Sequence, residues 1–346
     1  MSSFKRIATL ALTALVALPL AAAAHPRYTV TPVGVAGSVA TDINSSGAVV
    51  GNFPFSATST HGFSNIGGVI TDLGTLGGPD SYAAALNDSN VIVGISINPD
   101  GYRRAFRYAG GTMVDLGTLG GNNSGAADIN NRGDIAGSAD IGPNAGLDSR
   151  AFLLRPGVTM QDLGRIEVPG AEGASGALGL NEYRQVVGQS IAGPYSPPES
   201  ANHAFLYKCE EMLDLGTLGG QWSIAEAINE RGQIVGQAAT PELRENRAFV
   251  YYRGTMKNLG TLPGGEFSWA YDINDHGHIV GYSNAPGVQD RAFIYSHGKM
   301  RDLTKQLVPG SGWEVITAAA INNNGQIAAT GCRGGVCQAI RLDPAP

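Results

Sequence analysis

The segment Asp-Leu-Gly-Thr-Leu-Gly-Gly occurs three times without change, at 72–78, 115–121 and 214–220. A fourth copy at 258–265 begins with Asn258 and carries Pro263 as an insertion, while 162–164 and 302–304 keep only its start. Recurrence at this spacing marks an internal repeat. A repeat constrains architecture before any other signal, because each unit buries its apolar faces only against its neighbours.

The rest of the unit can be read around that segment. A run of small residues ends in Ile-Asn or Leu-Asn at Asn44, Asn87, Asn130, Asn181, Asn229, Asn274 and Asn322, spaced 43 to 51 residues apart. Three residues later stands Gly47, Gly133, Gly232, Gly277 or Gly325, with Asn90 and Arg184 in the other two units. Asn opening and Gly closing such a segment fits a type I turn, since Asn bonds its local backbone and Gly tolerates positive φ. Arg184 does not suit that conformation, so the fourth turn is expected to differ.

A β-branched run follows, such as Val91-Ile92-Val93-Gly94, then a strand with His or Arg before Ala-Phe, as in Arg104-Ala105-Phe106. A tight turn leads to a fourth strand, as in Met113-Val114-Asp115-Leu116. Four short strands in meander order, with no helical period, predict an all-β chain. The expected fold is a seven-bladed β-propeller of four-stranded antiparallel blades, filling 25–346 as a single domain. Tyr28 to Gly34 has the pattern of a fourth strand, and Gln338 to Leu342 reads as a third strand with none after it. The N-terminal strand is therefore expected to complete the last blade.

Within the first strand, the fourth residue before each Asn is Ala in all seven units, and the sixth is Ser in six. Strict alternation would put these small residues, and the one two before the Asn, on one face. That suits the crowded innermost strand of a ring. The Ile or Leu before each Asn would point into the packing between blades.

The heptapeptide, the Ile-Asn-x-x-Gly turn and the Arg-Ala-Phe strand together resemble the HAF-repeat family of extracellular repeat proteins, from Tyr28 to Leu342. The resemblance implies a secreted, propeller-like bacterial repeat protein. It implies no common activity and offers no catalytic residues to carry over.

Residues 1–24 have the layout of a secretory signal peptide: Lys5 and Arg6, an apolar run over 7–20, and small residues to Ala24. The run is shorter than the ~20 residues a membrane span needs. The expected location is periplasmic or extracellular, with no membrane span after cleavage. The chain holds 29 acidic against 23 basic residues, for a net charge of −6, and no basic run. That argues against nucleic acid, whose phosphates require clustered Lys and Arg. In an oxidising compartment, Cys332 and Cys337 are expected to form a disulfide across Arg333-Gly334-Gly335-Val336. Cys209 is left over and reads as a small residue packed near a blade edge.

Chemistry is less legible. The repeated Asp of the fourth strand and the Arg of the third lie on adjacent strands and read as cross-strand pairs. A catalytic site would break the repeat, since its residues have different roles. Asp42 to Gly47 matches the start of a calcium loop but lacks its closing Glu. His276 and His278 do not have the spacing of a zinc helix. No catalytic residue, metal ligand or cofactor is assigned.

What does break the repeat lies on the crossovers from each fourth strand to the next first strand. Asp80, Tyr82, Asn123, Trp222, Glu266, Trp269 and Trp313 fall there, including all three tryptophans. The long loops at 139–149 and 191–201 and the crossover at 170–176 emerge on the same face. Aromatic residues beside amides and acids suit a ligand surface. The leading expectation is therefore an exported, monomeric, non-enzymatic binding or scaffold propeller with a protein, peptide or glycan ligand at that face. A propeller hydrolase or lyase acting on an extracellular polymer is the first alternative. A purely structural cell-surface protein is the second.

Overall fold

The computed structural model describes residues 27–142, 149–167, 173–191, 202–241, 246–285 and 288–346. The leader at 1–24 lies outside the described residues, as do 143–148, 168–172 and 192–201 of the long loops and crossover. Among the described residues, the strands form seven four-stranded antiparallel sheets. In blade 1 the strands, A to D, are Val39–Ile43, Val49–Pro54, Thr60–Ile66 and Val69–Asp72. Strand A of each blade touches strand A of the next, all the way round, so these strands line the axis. Blade 7 draws its outer strand, Tyr28–Ala36, from the start of the chain, with Tyr28 opposite Pro344 and Val30 opposite Leu342. No helix among the described residues is long and apolar enough to cross a membrane.

The core is divided into seven apolar clusters, one at each junction between blades. This explains the Ala-Phe dipeptide. Phe205 of blade 4 packs backward onto Ala151 and Leu163 of blade 3, while its neighbour Ala204 packs forward onto Ala225 of blade 5. Alternation along one strand thus supplies a large residue to one junction and a small one to the other. Burying each such Phe contributes about 1.5–3 kcal/mol. The Gly inside strand B is required by close approach: a Cβ on Gly137 would collide with the carbonyl of Gly125 on strand A. Blade 7 alone has Ala there, Ala329, and its strand A carries a second register shift.

The seven asparagines do more than close turns. Each buried Asn accepts local backbone N–H groups, as Asn181 Oδ1 does from Tyr183 and Gln185. Each also donates its side-chain N–H to the backbone carbonyl of the Asn in the next blade. These bonds run Asn44, Asn87, Asn130, Asn181, Asn229, Asn274, Asn322 and back to Asn44, at 2.9–3.2 Å. A closed ring of hydrogen bonds ties all seven blades together. The fourth turn is the same as the others, contrary to expectation: Arg184 adopts φ 61° and its N–H donates to Asn181 O at 3.1 Å. Its guanidinium pairs with the buried Asp134 at 2.9 Å, which offsets the backbone strain.

The repeated Ser brackets adjacent blades. Ser124 accepts the N–H of Ala105 in blade 2 at 2.9 Å and donates to Gly117 O of the crossover at 2.6 Å. Cys332 and Cys337 face each other across strands B and C of blade 7 and form a disulfide. Cys209 is not packed at a blade edge. It is exposed at the tip of the C–D turn of blade 4, with φ 51°.

Strand A does not alternate strictly. In every blade its register shifts just after the invariant Ala, as between Ala225 and Ala227. Such a bulge inserts one residue and changes which side chains share a face. The expectation that three small positions face one way therefore fails at the third. The inserted residues are Thr41, Ala84, Ala127, Leu178, Glu226, Tyr271 and Ala319.

Candidate functional site

Most polar groups around the axis are committed to holding the ring. Asp42, Asp128 and Asp272 follow the bulge in blades 1, 3 and 6. Each accepts the N–H of its own successor at 2.7 Å and that of Leu86, Leu180 or Ile321 in the next blade at 2.7–2.9 Å. Burial, and for Asp42 also the charges of Asp128 and Asp272, pushes Asp42 up to about 8. Burial likewise raises Asp128 and Asp272 to about 6.

The mouth at the A–B turns, a cavity of about 240 Å³, is acidic but equally committed. Ser45 N–H donates to Asp88, Asn131 N–H to Glu182, Glu182 N–H to Glu230, and Glu230 N–H to Asp275. Among the described residues, no three His, Cys, Asp or Glu side chains converge to hold a metal ion.

One stretch of wall, between blades 5 and 6, is different. Glu226 replaces the small residue at the bulge of blade 5, and its Oε1 accepts the indole N–H of Trp269 at 2.9 Å. Burial raises its carboxyl to about 7, with the Trp269 hydrogen bond opposing the rise. Glu226 nonetheless keeps part of its surface exposed, on the innermost strand of its blade.

Around it stands an aromatic wall from blade 6. Tyr271 stacks on Trp269, with centroids 5.5 Å apart, and on Tyr282 at 5.7 Å. Phe267 meets Tyr282 edge-on at 5.8 Å. Burial raises the Tyr271 phenol, and the neighbouring Tyr282 and Glu226 add to the shift. Asp290 lies near enough for its charge to raise the Tyr282 phenol, after burial. A hydrogen-bonded carboxyl poised near neutrality can both give and take a proton. Flat aromatic faces beside it can hold a ring-shaped substrate.

The crossover residues are scattered by comparison. Asp80 accepts the N–H of Thr60 at 2.8 Å and clamps a loop of blade 1. Asn123 donates to Asp140 at 2.8 Å and accepts the N–H of Arg103 at 3.2 Å. Trp313 is 9% exposed and belongs to the core between blades 6 and 7, with the Arg333 guanidinium over its ring. Trp222 is half-buried, and its carbonyl accepts the N–H of Ala239. Tyr82 is 42% exposed, in another blade from the wall. Glu266 is exposed; its N–H donates to Asn284, and its carbonyl accepts from Arg247. Of the seven, only Trp269 joins the wall. Glu226, Tyr271 and Tyr282 escape the sequence reading; Glu226 and Tyr271 stand third before the Asn, outside the small-residue positions of strand A.

No family model and no curated protein matches the chain. Among solved structures, it is similar to the propeller domain of the Trilobed protease from Pyrococcus furiosus, with a TM-score of 0.59 and 8% identity, covering 88% of this chain and 95% of that one. That domain has an open velcro topology, whereas strand D of the last blade here comes from the start of the chain. The chain is also similar to a puromycin-hydrolyzing peptidase of Mycobacterium tuberculosis (TM-score 0.55, 12% identity, 92% of this chain and 53% of that one). An acylaminoacyl peptidase of Pyrococcus horikoshii gives 0.52, 10% identity, 86% and 49%. This chain spans about half the length of those two peptidases.

At these identities the likeness shows the fold. It also corrects the expectation of a non-enzymatic binding or scaffold propeller, because the chains sharing this ring are named as hydrolytic enzymes. The structure also takes three of the seven residues out of that surface: Trp313 packs in the core, and Asp80 and Asn123 are tied into loop clamps.

Proposed function

We propose that this chain is a hydrolase, of HAF-repeat type and exported, that acts on a hydroxyl-rich polymer at the wall between blades 5 and 6. The observation that carries the reading is Glu226: a carboxyl raised to about 7, held by the Trp269 indole between the innermost strands of blades 5 and 6. Substrate rings lie against the faces of Trp269 and Tyr271. The bond between carbon and bridging oxygen breaks as Glu226 gives its proton to the leaving oxygen. Water then bonds to the carbon and returns a proton to Glu226, so that Glu226 is acid in one half of the reaction and base in the other.

The purified chain, assayed on a panel of polysaccharides and aryl glycosides, should release reducing ends. Glu226→Gln should lower kcat by about 10²–10⁴, the usual contribution of a positioned acid–base group, with its urea midpoint at pH 5 kept. Trp269→Phe removes a hydrogen bond that favours the charged form of Glu226, which must start protonated, so the alkaline limb of the pH–rate profile should move upward. Absence of turnover on the whole panel, or full activity in Glu226→Gln, would sink the proposal.

A further inference from the structure

We propose that the groove between blades 2 and 3, on the face of the A–B and C–D turns, binds a small organic anion: a carboxylate on a flat apolar body. The inference goes beyond the hydrolase reading and does not depend on it.

The groove encloses about 550 Å³, within the ordinary size of small-molecule sites. Three arginines from separate elements line it. Arg107 comes from strand C of blade 2 (Arg103–Ala109), Arg132 from the A–B turn of blade 3, and Arg155 from just beyond strand C of blade 3 (Ser149–Leu154). None of the lining residues is acidic, in a chain whose net charge is −6.

Two of these arginines hold no carboxylate. Arg104, Arg184, Arg291 and Arg341 each hold a carboxylate at 2.9 Å. Among the described residues, Arg107 and Arg155 pair with none, and Nε of Arg155 is buried without a hydrogen-bond partner. Arg132 reaches Glu182 only at 3.5 Å, with its side chain 53% exposed. A buried guanidinium N–H left without an acceptor is costly.

The repeat sharpens the point. At the position of Arg107, directly after the strand C Phe, blades 3, 4 and 6 carry the buried aliphatics Leu153, Leu206 and Ile294. Blade 7 also has an arginine, Arg341, but with Asp343 as its partner. Arg107 thus puts an exposed charge, with no carboxylate partner among the described residues, where those three blades pack an aliphatic side chain.

The planar fork of a guanidinium matches a carboxylate in two parallel hydrogen bonds. Leu116, Ile135 and Leu154 supply apolar surface in the same groove, and Val158, 45% exposed, lies at its rim. Charge and apolar floor together favour an anion with an apolar body over a bare inorganic ion.

Titration calorimetry with three probes tests this: 1-naphthoate, neutral 1-naphthamide of the same shape, and inorganic sulfate. Naphthoate should bind one per chain, at least about tenfold more tightly than either other probe, a difference of about 1.4 kcal/mol. Arg107→Gln and Arg155→Gln should each weaken naphthoate about tenfold or more, and Arg103→Gln, at the far end of the same strand, should leave it unchanged. Glu226→Gln should bind naphthoate like the unmodified chain, which separates this site from the hydrolase reading. Equal binding of naphthoate and naphthamide, sulfate binding as tightly as naphthoate, no naphthoate binding, or unaltered binding in a folded Arg107→Gln or Arg155→Gln would each overturn the proposal.

Discussion

The asparagine ring and the Glu226 wall occupy neighbouring positions on the same innermost strands, three residues apart, and they follow opposite rules. The asparagine is identical in all seven blades and makes the same bond to its neighbour in each. The bulge residue changes from Thr41 to Ala84, Leu178, Glu226 and Tyr271. Where a residue repeats without exception, it serves closure of the ring, because closure demands the same bond at every junction. Where the repeat lapses, as at Glu226, no structural demand fixes the residue, and chemistry can differ between blades.

The comparison is broken most directly by substitutions on the two sides of it. Asn181→Ala deletes the acceptor for two N–H groups and the donor to Asn229 O, leaving buried polar groups unpaired. It should lower unfolding free energy by about 2–4 kcal/mol, read as a drop in urea midpoint. Asn87→Ala should cost a similar amount, since it makes the equivalent bonds. Tyr282→Phe, which keeps the ring against Tyr271 and removes only a hydroxyl, should cost less than about 1 kcal/mol. Equal losses at Asn181 and Tyr282 would erase the distinction between ring and wall.

This contrast also marks what the sequence could reveal. The junction cores were legible, because Phe205, Ala204 and Leu215 recur at fixed places and their alternation has a packing reason. The closure by Tyr28 was legible from a strand pattern missing at one end of the chain and surplus at the other. The asparagine ring was not, because the partner of each Asn amide lies in the next blade, 43 to 51 residues away in six cases and 278 in the seventh. Glu226 was missed because period-two reasoning assumes an unbroken strand, and the bulge breaks it one residue earlier. Trp313 misled because a tryptophan on a crossover looks like a surface residue. Here it fills the junction where the Thr304–Gln306 turn stands in place of the heptapeptide's glycines.

A gentler test of the axis uses pH. Asp42 titrates near 8 in the fold, and Asp128 and Asp272 near 6, against an ordinary 3.8. Between these values the folded chain keeps protons that the unfolded chain releases. By linkage, stability therefore falls as pH rises from about 4 to about 8. Glu226, raised to about 7, adds to the same slope. Asp88, Asp214 and Asp343 are lowered, despite burial that raises them, by hydrogen bonds, so they subtract stability only as pH falls through the acid range. The urea midpoint should be higher at pH 5 than at pH 8, and Asp42→Asn should flatten the slope between 6 and 8. A midpoint that climbs from pH 5 to 8 would show that these carboxyls are charged in the fold.

The smallest expected effect concerns the repeated Asp at the outer edge, which looks like the least ambiguous ion pair in the sequence. Arg104 meets Asp115 at 2.9 Å and Arg291 meets Asp302 at 2.9 Å, while His61 and His203 take the same place beside Asp72 and Asp214. These pairs are partly exposed, and exposed pairs contribute only about 0–1 kcal/mol. The Asp has a second task, however. Asp115 Oδ1 accepts the N–H of Gly117 at 2.8 Å and so starts the crossover. Blade 5 keeps the turn without the charge: Asn258, in the place of the Asp, accepts the N–H of Gly260 at 2.8 Å. Asp115→Asn should therefore cost less than about 1 kcal/mol, and high salt should weaken the unmodified chain by no more than that. Asp115→Ala loses the turn bond as well and should cost about 1–2 kcal/mol. If Asn and Ala proved equally costly at 115 by urea titration, the charge rather than the turn would explain why this Asp recurs.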